Sequence, residues 1–211
     1  MTKAQIPTSF QEKGFPLVIT GPSGVGKTSL VRQILADRKD VVFSVSATTR
    51  PQRKGEVHGK DYWFYDRDEF SKLAKAGEFV EHAEVHGLLY GTPRAPLDRW
   101  ISEGKVVLID VDVQGGDAFR EAYPDGVYIF VYPPSPEALR ERLWHRATDQ
   151  QDVIERRLRN APGEMTRYED YDYVVVNDDL ARARATVAAI LGSERRRLKR
   201  LQPKFDDGLG K

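Results

Sequence analysis

A phosphate-binding loop constrains the fold of this chain more than any other feature. The apolar residues 17–20 run directly into Gly21-Pro22-Ser23-Gly24-Val25-Gly26-Lys27-Thr28, which has the spacing Gly, four residues, Gly-Lys-Thr. Glycines let successive backbone N–H groups face an anion, and the positive end of the following helix adds to the attraction. Lys27 would reach the β- and γ-phosphates, and the Thr28 hydroxyl would bind Mg²⁺. The sequence therefore predicts a nucleoside triphosphate site between a strand and a helix.

The composition excludes several other classes of protein. Of the 211 residues, 33 are Lys or Arg and 32 are Asp or Glu, so the net charge is +1 and no global field favours nucleic acid or a membrane surface. Cysteine is absent, which excludes disulfides and cysteine metal sites and is typical of a reducing compartment. No apolar run approaches the length of a membrane span, and the polar N-terminus has no signal-peptide pattern. We expect a cytoplasmic protein with no specific nucleic-acid partner.

Apolar runs that alternate with amphipathic segments predict an α/β fold. Strands are expected at 15–20, 41–45, 105–112, 126–132 and 173–177, and helices at 27–36 and 181–191. Such runs are typical of a parallel sheet with helices on both faces, whose ligands bind at the carboxyl ends of the strands. Short aromatic and acidic segments at 62–65, 79–85 and 88–90 predict a small mixed sheet inserted into this core.

These patterns divide the chain into a flexible N-terminus (1–14), one domain (15–194) and a basic tail (195–211). Within the domain we expect a core at 15–45 and 93–194, an insertion at 46–92 and a mobile helical lid at about 140–160. Pro162 and Gly163 predict a break or kink in the helix after the lid. The basic run Arg195-Arg196-Arg197-Leu198-Lys199-Arg200 is interpreted as a solvated helix end.

Two arginines and a tyrosine follow the second predicted strand. Arg50 and Arg53 lie in a proline-containing loop, and Tyr62 follows within the insertion. Guanidinium groups bind phosphate through paired hydrogen bonds, and a tyrosine hydroxyl adds a donor. Two solvated arginines are the alternative, but the ligand edge of the sheet favours a second phosphate site.

Glu81 lies in a predicted strand in which strict alternation places it on the same face as Phe79. A carboxylate on an apolar face needs a partner. The guanine edge offers two adjacent N–H donors, whereas adenine presents an acceptor that would repel a carboxylate. The sequence fits a solvated strand residue equally well, so both interpretations of Glu81 stay open.

Asp110 ends a long apolar run, the Walker-B pattern that places an acid beside the Mg²⁺–phosphate region. Asp112 follows two residues later and would share its face. A helix N-cap explains Asp112 as well.

Taken in this order, the clusters resemble guanylate kinases of the nucleoside-monophosphate kinase group. The resemblance is carried by GPSGVGKTSL (21–30), SVSATTRPQRKGEVHGKDYWF (44–64), EFVEHAEVHGLLYGT (78–92), VLIDVDVQG (107–115), IFVYPPS (129–135) and VVNDDL (175–180). It implies a P-loop parallel-sheet core with a mixed-sheet GMP-binding insertion and a mobile helical lid. It also implies phosphoryl transfer from ATP to GMP, and to dGMP, with Mg²⁺ in purine nucleotide metabolism, by a monomer or a homodimer.

The resemblance also implies a role for individual residues. The ATP-binding residues would be Gly21, Pro22, Ser23, Gly24, Val25, Gly26, Lys27, Thr28, Ser29 and, near the adenine side, Asn177. The GMP phosphate would be bound by Arg50, Arg53, Tyr62 and Tyr90, and guanine by Ser46, Glu81, Thr92 and Asp112, with Asp110 beside them. The catalytic cations would be Lys27, Arg142, Arg146 and Arg157. Mg²⁺ would be held by Thr28, and by Asp110 through water.

One departure and two alternatives accompany the resemblance. Where the family has Arg-Gly-Thr-Asp, this chain has Arg146-Ala147-Thr148-Asp149, so we expect a stiffer or differently shaped lid hinge. A non-catalytic interaction domain of the same fold is one alternative, which the intact phosphate loop disfavours. The second alternative is another small-molecule kinase, such as a ribose bisphosphate kinase. A carboxylate at Glu81 that recognises guanine disfavours this alternative.

Overall fold

The structure, a computed structural model, describes residues 6–85, 87–144 and 151–205, except for the side chains of 151–153. The strands are β1 Ser9–Glu12, β2 Phe15–Thr20, β3 Val41–Phe43, β4 Ala47–Thr48, β5 Trp63–Phe64, β6 Phe79–Val85, β7 Leu88–Pro93, β8 Val106–Asp110, β9 Val127–Tyr132, β10 Tyr173–Val176 and β11 Leu201–Lys204. The α-helices are α1 Lys27–Asp37, α2 Arg67–Lys75, α3 Arg94–Ser102, α4 Val113–Ala122, α5 Pro136–Trp144, α6 Gln151–Met165 and α7 Leu180–Arg195. Within the described ranges, none of these helices combines the length and the apolar character needed to cross a membrane.

Five parallel strands form the central sheet, in the order β10-β9-β2-β8-β3. All six residues of β2 are buried, because helices cover both faces of the sheet. Leu17 and Ile19 join the core that includes residues of α1 and α7, whereas Val18 joins the core that includes residues of α3 and α4. The predicted parallel-sheet α/β fold is therefore confirmed. Ile19 pairs with Asp110, so β2 and β8 end at the same edge.

The predicted mixed sheet is also confirmed, in the order β5-β4-β7-β6. The insertion contains a helix, α2, that the sequence analysis did not predict. Its signal lies in Asp66, whose carboxylate caps the helix by accepting a hydrogen bond of 2.7 Å from the Glu69 N–H, a typical helix start. Phe70 of α2 stacks on Phe79 with ring centroids 4.4 Å apart, which fixes the helix on the sheet.

The expected alternation along β6 is wrong. The pairing with β7 shifts register between Phe79 and His82, and such a bulge adds one residue to one strand. The rings of Phe79 and His82 consequently both lie against Phe70. Glu81, next to His82, therefore lies on the face opposite Phe79.

Of the break or kink predicted at Pro162 and Gly163, the break is wrong, because α6 continues through Pro162. Proline lacks the N–H that would reach the carbonyl four residues earlier. Ala161 is nevertheless buried and Met165 packs against the main core. The stabilisation gained by burying this helix face is larger than the cost of the missing hydrogen bond.

The predicted solvated helix end is wrong for Arg195 and Arg200, whose side chains are largely buried, whereas Arg196, Arg197 and Lys199 are exposed. β11 pairs antiparallel with β1, so residues of the N-terminus (1–14) and of the basic tail (195–211) form a two-stranded ribbon. Arg195, with 12% of its side chain exposed, pairs with Glu12 and with Asp40 at 2.5 and 2.6 Å. Glu12 and Asp40 are far from Arg195 in the sequence, so no local pattern predicts these ion pairs.

Arg200 is the most buried arginine of this tail. Its guanidinium lies 3.1 Å from the Glu194 carboxylate, both side chains being at most 5% exposed, and 3.9 Å above the Phe15 ring. Burial raises the pKa of Glu194, but hydrogen bonds from Tyr173, Arg200 and Arg197 outweigh it and lower that pKa overall. The carboxylate is therefore kept charged inside the fold.

Replacing Arg200 with alanine should lower the free energy of unfolding by about 3 kcal/mol, since Glu194 would lose its buried partner. Urea denaturation measures the change. The matched control is Arg196→Ala, which removes a side chain that is 74% exposed and pairs with Glu12 and should cost less than about 1 kcal/mol. Equal losses of unfolding free energy in the two variants would contradict a stabilising role for the buried Arg200–Glu194 ion pair.

Candidate active site

The phosphate loop lies between the carboxyl end of β2 and the first turn of α1. Gly21, Gly24 and Gly26 have φ angles of 141°, 84° and 98°, a region that favours glycine. A Cβ on Gly24 would lie 2.6 Å from the Leu143 side chain, and a Cβ on Gly26 would strike the Asn177 amide. Backbone conformation and close packing therefore both require glycine in this loop.

A first cavity, here called the loop cavity, opens in front of these glycines with a volume of 260 Å³. It is lined by Ser23, Gly24, Val25, Gly26, Lys27, Thr28, Ser29, Asp110 and Arg142. The Lys27 ammonium donates a hydrogen bond of 2.6 Å to the Gly21 carbonyl, which holds the side chain along the loop. The structure thus brings most of the predicted triphosphate residues to one concave surface.

Asn177 and Arg142 meet at the Val25 carbonyl of this loop, and Arg142 also lines the loop cavity. The Asn177 side-chain amide donates to the Val25 carbonyl at 2.8 Å, and Asn177 is 6% exposed. The Arg142 guanidinium donates to the same carbonyl at 3.1 Å and to the Asn177 carbonyl at 2.8 Å. Sequence reasoning missed this contact because the three residues are far apart in the chain. A nucleotide contact for Asn177 and Arg142 stays a prediction.

A second cavity, here called the sheet cavity, lies between the insertion and α4 and has a volume of 460 Å³. The predicted residues that line it are Ser46, Tyr62, Glu81, Tyr90, Asp110 and Asp112. His82, Gln114 and Gly115 line it too and were not predicted, although Gln114 and Gly115 lie within the VLIDVDVQG segment. Asp110 lines both cavities, so the two sites share a wall.

Glu81 carries a partnered, half-buried carboxylate. It accepts a hydrogen bond of 2.6 Å from the hydroxyl of Thr92, which is 2% exposed. Burial raises the pKa of Glu81; the Thr92 hydrogen bond opposes this and the nearby Asp112 reinforces it. This environment favours the ligand-binding interpretation over a solvated strand residue.

Asp110 ends β8 and Asp112 follows it, and the surroundings of the two aspartates differ. Asp112 is the N-cap of α4 and accepts a hydrogen bond of 2.8 Å from the Gly115 N–H, so the capping interpretation is confirmed, while its position also lines the sheet cavity. Burial raises the pKa of Asp110, and the Lys27 charge opposes the rise. The Thr28 hydroxyl and the Asp110 carboxylate lie around the loop cavity and are the hard oxygen donors that Mg²⁺ prefers, so the residues fit that ion.

Arg50 lies beside both predicted tyrosines. Its guanidinium is 5.3 Å from the Tyr62 ring centroid, and the Tyr62 and Tyr90 rings are 6.4 Å apart. Only 12% of the Arg50 side chain is exposed, and it pairs with Glu56 at 2.6 Å, so the solvated interpretation is wrong for Arg50. The Arg53 backbone N–H donates to the same carboxylate at 2.7 Å.

Of the predicted lid arginines, Arg142 is the one that lines the loop cavity among the described residues. Arg157 lies on α6 and is half-buried. Arg146 and the departure at Ala147 lie outside the described residues. Their roles stay predictions.

A parallel-sheet core with a phosphate loop, and a second cavity across a shared aspartate, define a P-loop nucleotide-binding protein with two ligand sites. The guanylate kinase family model matches residues 13–194. The chain belongs to the guanylate kinase family, which confirms the resemblance seen in the sequence.

Individual relatives agree with the family match. A guanylate kinase of Symbiobacterium thermophilum is 48% identical over 188 residues, covering 89% of each chain. A guanylate kinase of Thermotoga maritima is 46% identical over 194 residues, covering 92% of this chain and 94% of its own. The crystal structure of guanylate kinase from Anaplasma phagocytophilum matches with a TM-score of 0.72 at 38% identity, covering 91% of this chain and 92% of its own.

Gly26→Ala should lower the free energy of unfolding by about 2 kcal/mol, because the residue is left-handed and the new Cβ would strike Asn177. Asn177→Ala should cost about 1–2 kcal/mol through its buried hydrogen bond. The double variant should lose less than the sum, since the collision has gone. Gly163→Ala is the control: no atom lies within 4 Å of its new Cβ, so it should not destabilise the helix. Urea denaturation measures the free energy of unfolding of each variant. Losses that simply add in the double variant would contradict the contact between Gly26 and Asn177.

Proposed function

We propose that this protein is an ATP:GMP phosphotransferase that converts GMP, and dGMP, to the diphosphate in purine nucleotide metabolism. The observation that carries the assignment is Glu81, a half-buried carboxylate that faces the sheet cavity beside Asp112 and is fixed by Thr92. A carboxylate so placed accepts both N–H groups of a guanine edge and repels adenine. The family membership supports the same assignment.

The loop cavity is the proposed ATP site. The phosphate-loop N–H groups and the start of α1 would surround the β- and γ-phosphates, and Lys27 would neutralise their charge. Arg142 and Asn177 hold the loop through the Val25 carbonyl. Thr28, and Asp110 through water, would hold Mg²⁺, which supplies further charge neutralisation when bound.

The sheet cavity is the proposed GMP site. Arg50, Arg53, Tyr62 and Tyr90 would bind the phosphate, and Ser46, Glu81, Thr92 and Asp112 would recognise the base. Because Asp110 borders both cavities, the two phosphates would meet above it. A GMP phosphate oxygen then attacks the γ-phosphorus, the bond to the β–γ bridging oxygen breaks, and ADP leaves.

This transfer requires positioning and charge neutralisation more than a general base, since the phosphate oxygen is already a nucleophile. Lys27 and the lid arginines Arg142, Arg146 and Arg157 would stabilise the charge on the group in flight. Lid closure would exclude water that otherwise hydrolyses ATP.

We further propose a cytoplasmic protein, acting as a monomer or a homodimer without a specific nucleic-acid partner. The cysteine-free composition and the net charge of +1 are in keeping with this proposal.

The assignment is tested by supplying a panel of nucleoside monophosphates with ATP and Mg²⁺ and measuring the release of ADP. Activity should be confined to GMP and dGMP. Equal rates with AMP, CMP and UMP would overturn guanine recognition. A folded protein that releases no ADP with any acceptor would favour the non-catalytic alternative.

Replacing Glu81 with glutamine should lower kcat/KM for GMP by about 100-fold, or about 3 kcal/mol, because an amide N–H₂ would face the guanine donors. KM for ATP should change little. Glu78→Gln, in the exposed residue before β6, is the control and should leave kcat/KM for GMP unaffected. Unchanged GMP kinetics in the Glu81 variant would remove this residue from base recognition.

KM for GMP should rise as the pH falls through the pKa of Glu81, which burial raises above its ordinary value. Guanine pairs with the ionised carboxylate, so protonation removes the acceptor. The rise should therefore begin at a higher pH than for an exposed glutamate, whose pKa is about 4.3. Plots of log KM against pH measure it, and the profile should flatten in Glu81→Gln. A pH-independent KM in the unmodified enzyme would contradict the role.

A further inference from the structure

The carboxylate of Glu56 lies where the proposed GMP phosphate would bind. It accepts hydrogen bonds from both terminal nitrogens of Arg50, at 2.6 and 3.1 Å, and from the Arg53 backbone N–H at 2.7 Å. Two residues proposed to bind the substrate phosphate thus converge on one anion that belongs to the protein.

The surroundings of this ion pair are those of the proposed phosphate subsite. The Arg50 guanidinium lies over the rings of Tyr62 and Phe64, at 5.3 and 5.7 Å from their centroids, and Tyr62 lies next to Tyr90. The hydrogen bond from Arg50, and then that from Arg53, lower the pKa of Glu56, while the Glu56 hydrogen bond raises the pKa of Arg50. Both groups therefore stay charged at neutral pH.

A carboxylate and a phosphate present the same paired oxygens to a guanidinium group. The Nη1 and Nη2 groups of Arg50 both point at Glu56, and Nη1 also donates to the Pro51 carbonyl at 2.9 Å. A phosphate at these nitrogens would lie within a few ångströms of the carboxylate, where like charges repel. The two anions therefore compete for one guanidinium.

We propose that Glu56 is an internal substitute for the GMP phosphate, which holds the Arg50 loop when no substrate is bound and is displaced when GMP enters. The proposal rests on the proposed function. The loop is suited to release, because the bonds that fix Glu56 are local: its N–H donates to the Arg53 carbonyl, and Gln52 donates to its carbonyl. Glu56 can leave without breaking the strand pairing of the insertion.

This arrangement would make Glu56 a residue that sets the affinity for every phosphate ligand, because each of them must displace the same carboxylate. Inorganic phosphate has only the anion subsite with which to displace the carboxylate. GMP also gains the base contacts of Glu81 and Asp112, so it displaces Glu56 more readily. The internal anion therefore weakens GMP and inorganic phosphate by the same factor, and GMP keeps the higher affinity through its base contacts.

Glu56→Gln tests the proposal, because glutamine keeps the length and one carbonyl acceptor but removes the charge. The dissociation constants for GMP, guanosine and inorganic phosphate are measured by calorimetry on the full chain. GMP and phosphate should bind at least about fivefold more tightly, as expected when one like charge is removed. Guanosine, which lacks the phosphate, should bind as before.

Glu84→Gln is the matched control. Glu84 pairs with Arg67 at 2.8 Å within the same insertion, so this variant removes the same charge from another arginine–glutamate pair. The ratio of the guanosine to the GMP dissociation constant should rise in Glu56→Gln and stay constant in Glu84→Gln. An equal rise in both would indicate a general charge effect and overturn the proposal.

Other outcomes separate this proposal from the proposed function. Unchanged or weaker GMP binding in Glu56→Gln, with guanosine unaffected, would mean that Glu56 only orients Arg50, and would overturn displacement alone. GMP that binds the unmodified protein no more tightly than guanosine would overturn the phosphate subsite, and the proposal with it.

Carboxyl-carbon NMR of the unmodified protein provides a second test that needs no variant. The pKa of Glu56 should be depressed in the free protein and rise towards its ordinary value when GMP is added, because Arg50 has left it. A pKa that stays depressed with GMP bound would overturn displacement.

Discussion

The carbonyl oxygen of Val25 is the point on which the phosphate loop depends. It receives hydrogen bonds from the Asn177 side-chain amide and from the Arg142 guanidinium. Asn177 follows the outermost strand β10, and Arg142 lies in helix α5. One backbone oxygen thus ties the loop to the edge of the sheet and to α5. A loop fixed at this carbonyl presents its N–H groups to an anion without having to reorganise when the anion binds.

The pairing of β2 with β8 sets the geometry of the whole site. Because the strands are parallel neighbours and Ile19 lies opposite Asp110, the phosphate loop and the acidic end of β8 emerge at one edge, and Asp110 becomes the wall between two cavities. The insertion closes the second cavity with Glu81, Tyr62 and Tyr90. The charged side chains that line this cavity are mostly carboxylates, and the Arg50 guanidinium is already paired with Glu56.

The parts of the fold that sequence alone predicted were those with a local physical signal. The apolar run of β2 was assigned with the bounds that the structure shows, because a strand buried on both faces needs apolar residues throughout. The glycine spacing placed the loop, and the apolar run into Asp110 placed the acidic strand end. Helix α6 and the face of Glu81 were misjudged, because core packing overrode a proline and a bulge broke the strand alternation.

The sequence by itself determined the class of fold and the phosphate loop, since both follow from patterns along neighbouring residues, and its family resemblance supplied the residues of the two proposed ligand sites. The tertiary structure alone decided which residues meet across the chain: Asn177 with Val25, Glu81 with Thr92, and Arg200 with Glu194. The same distinction explains the basic tail. Its sequence pattern predicts solvated arginines, but in the structure Arg195 pairs with carboxylates from distant segments. Long-range pairing depends on how strands and helices pack in space, and no local pattern of residue types records that arrangement.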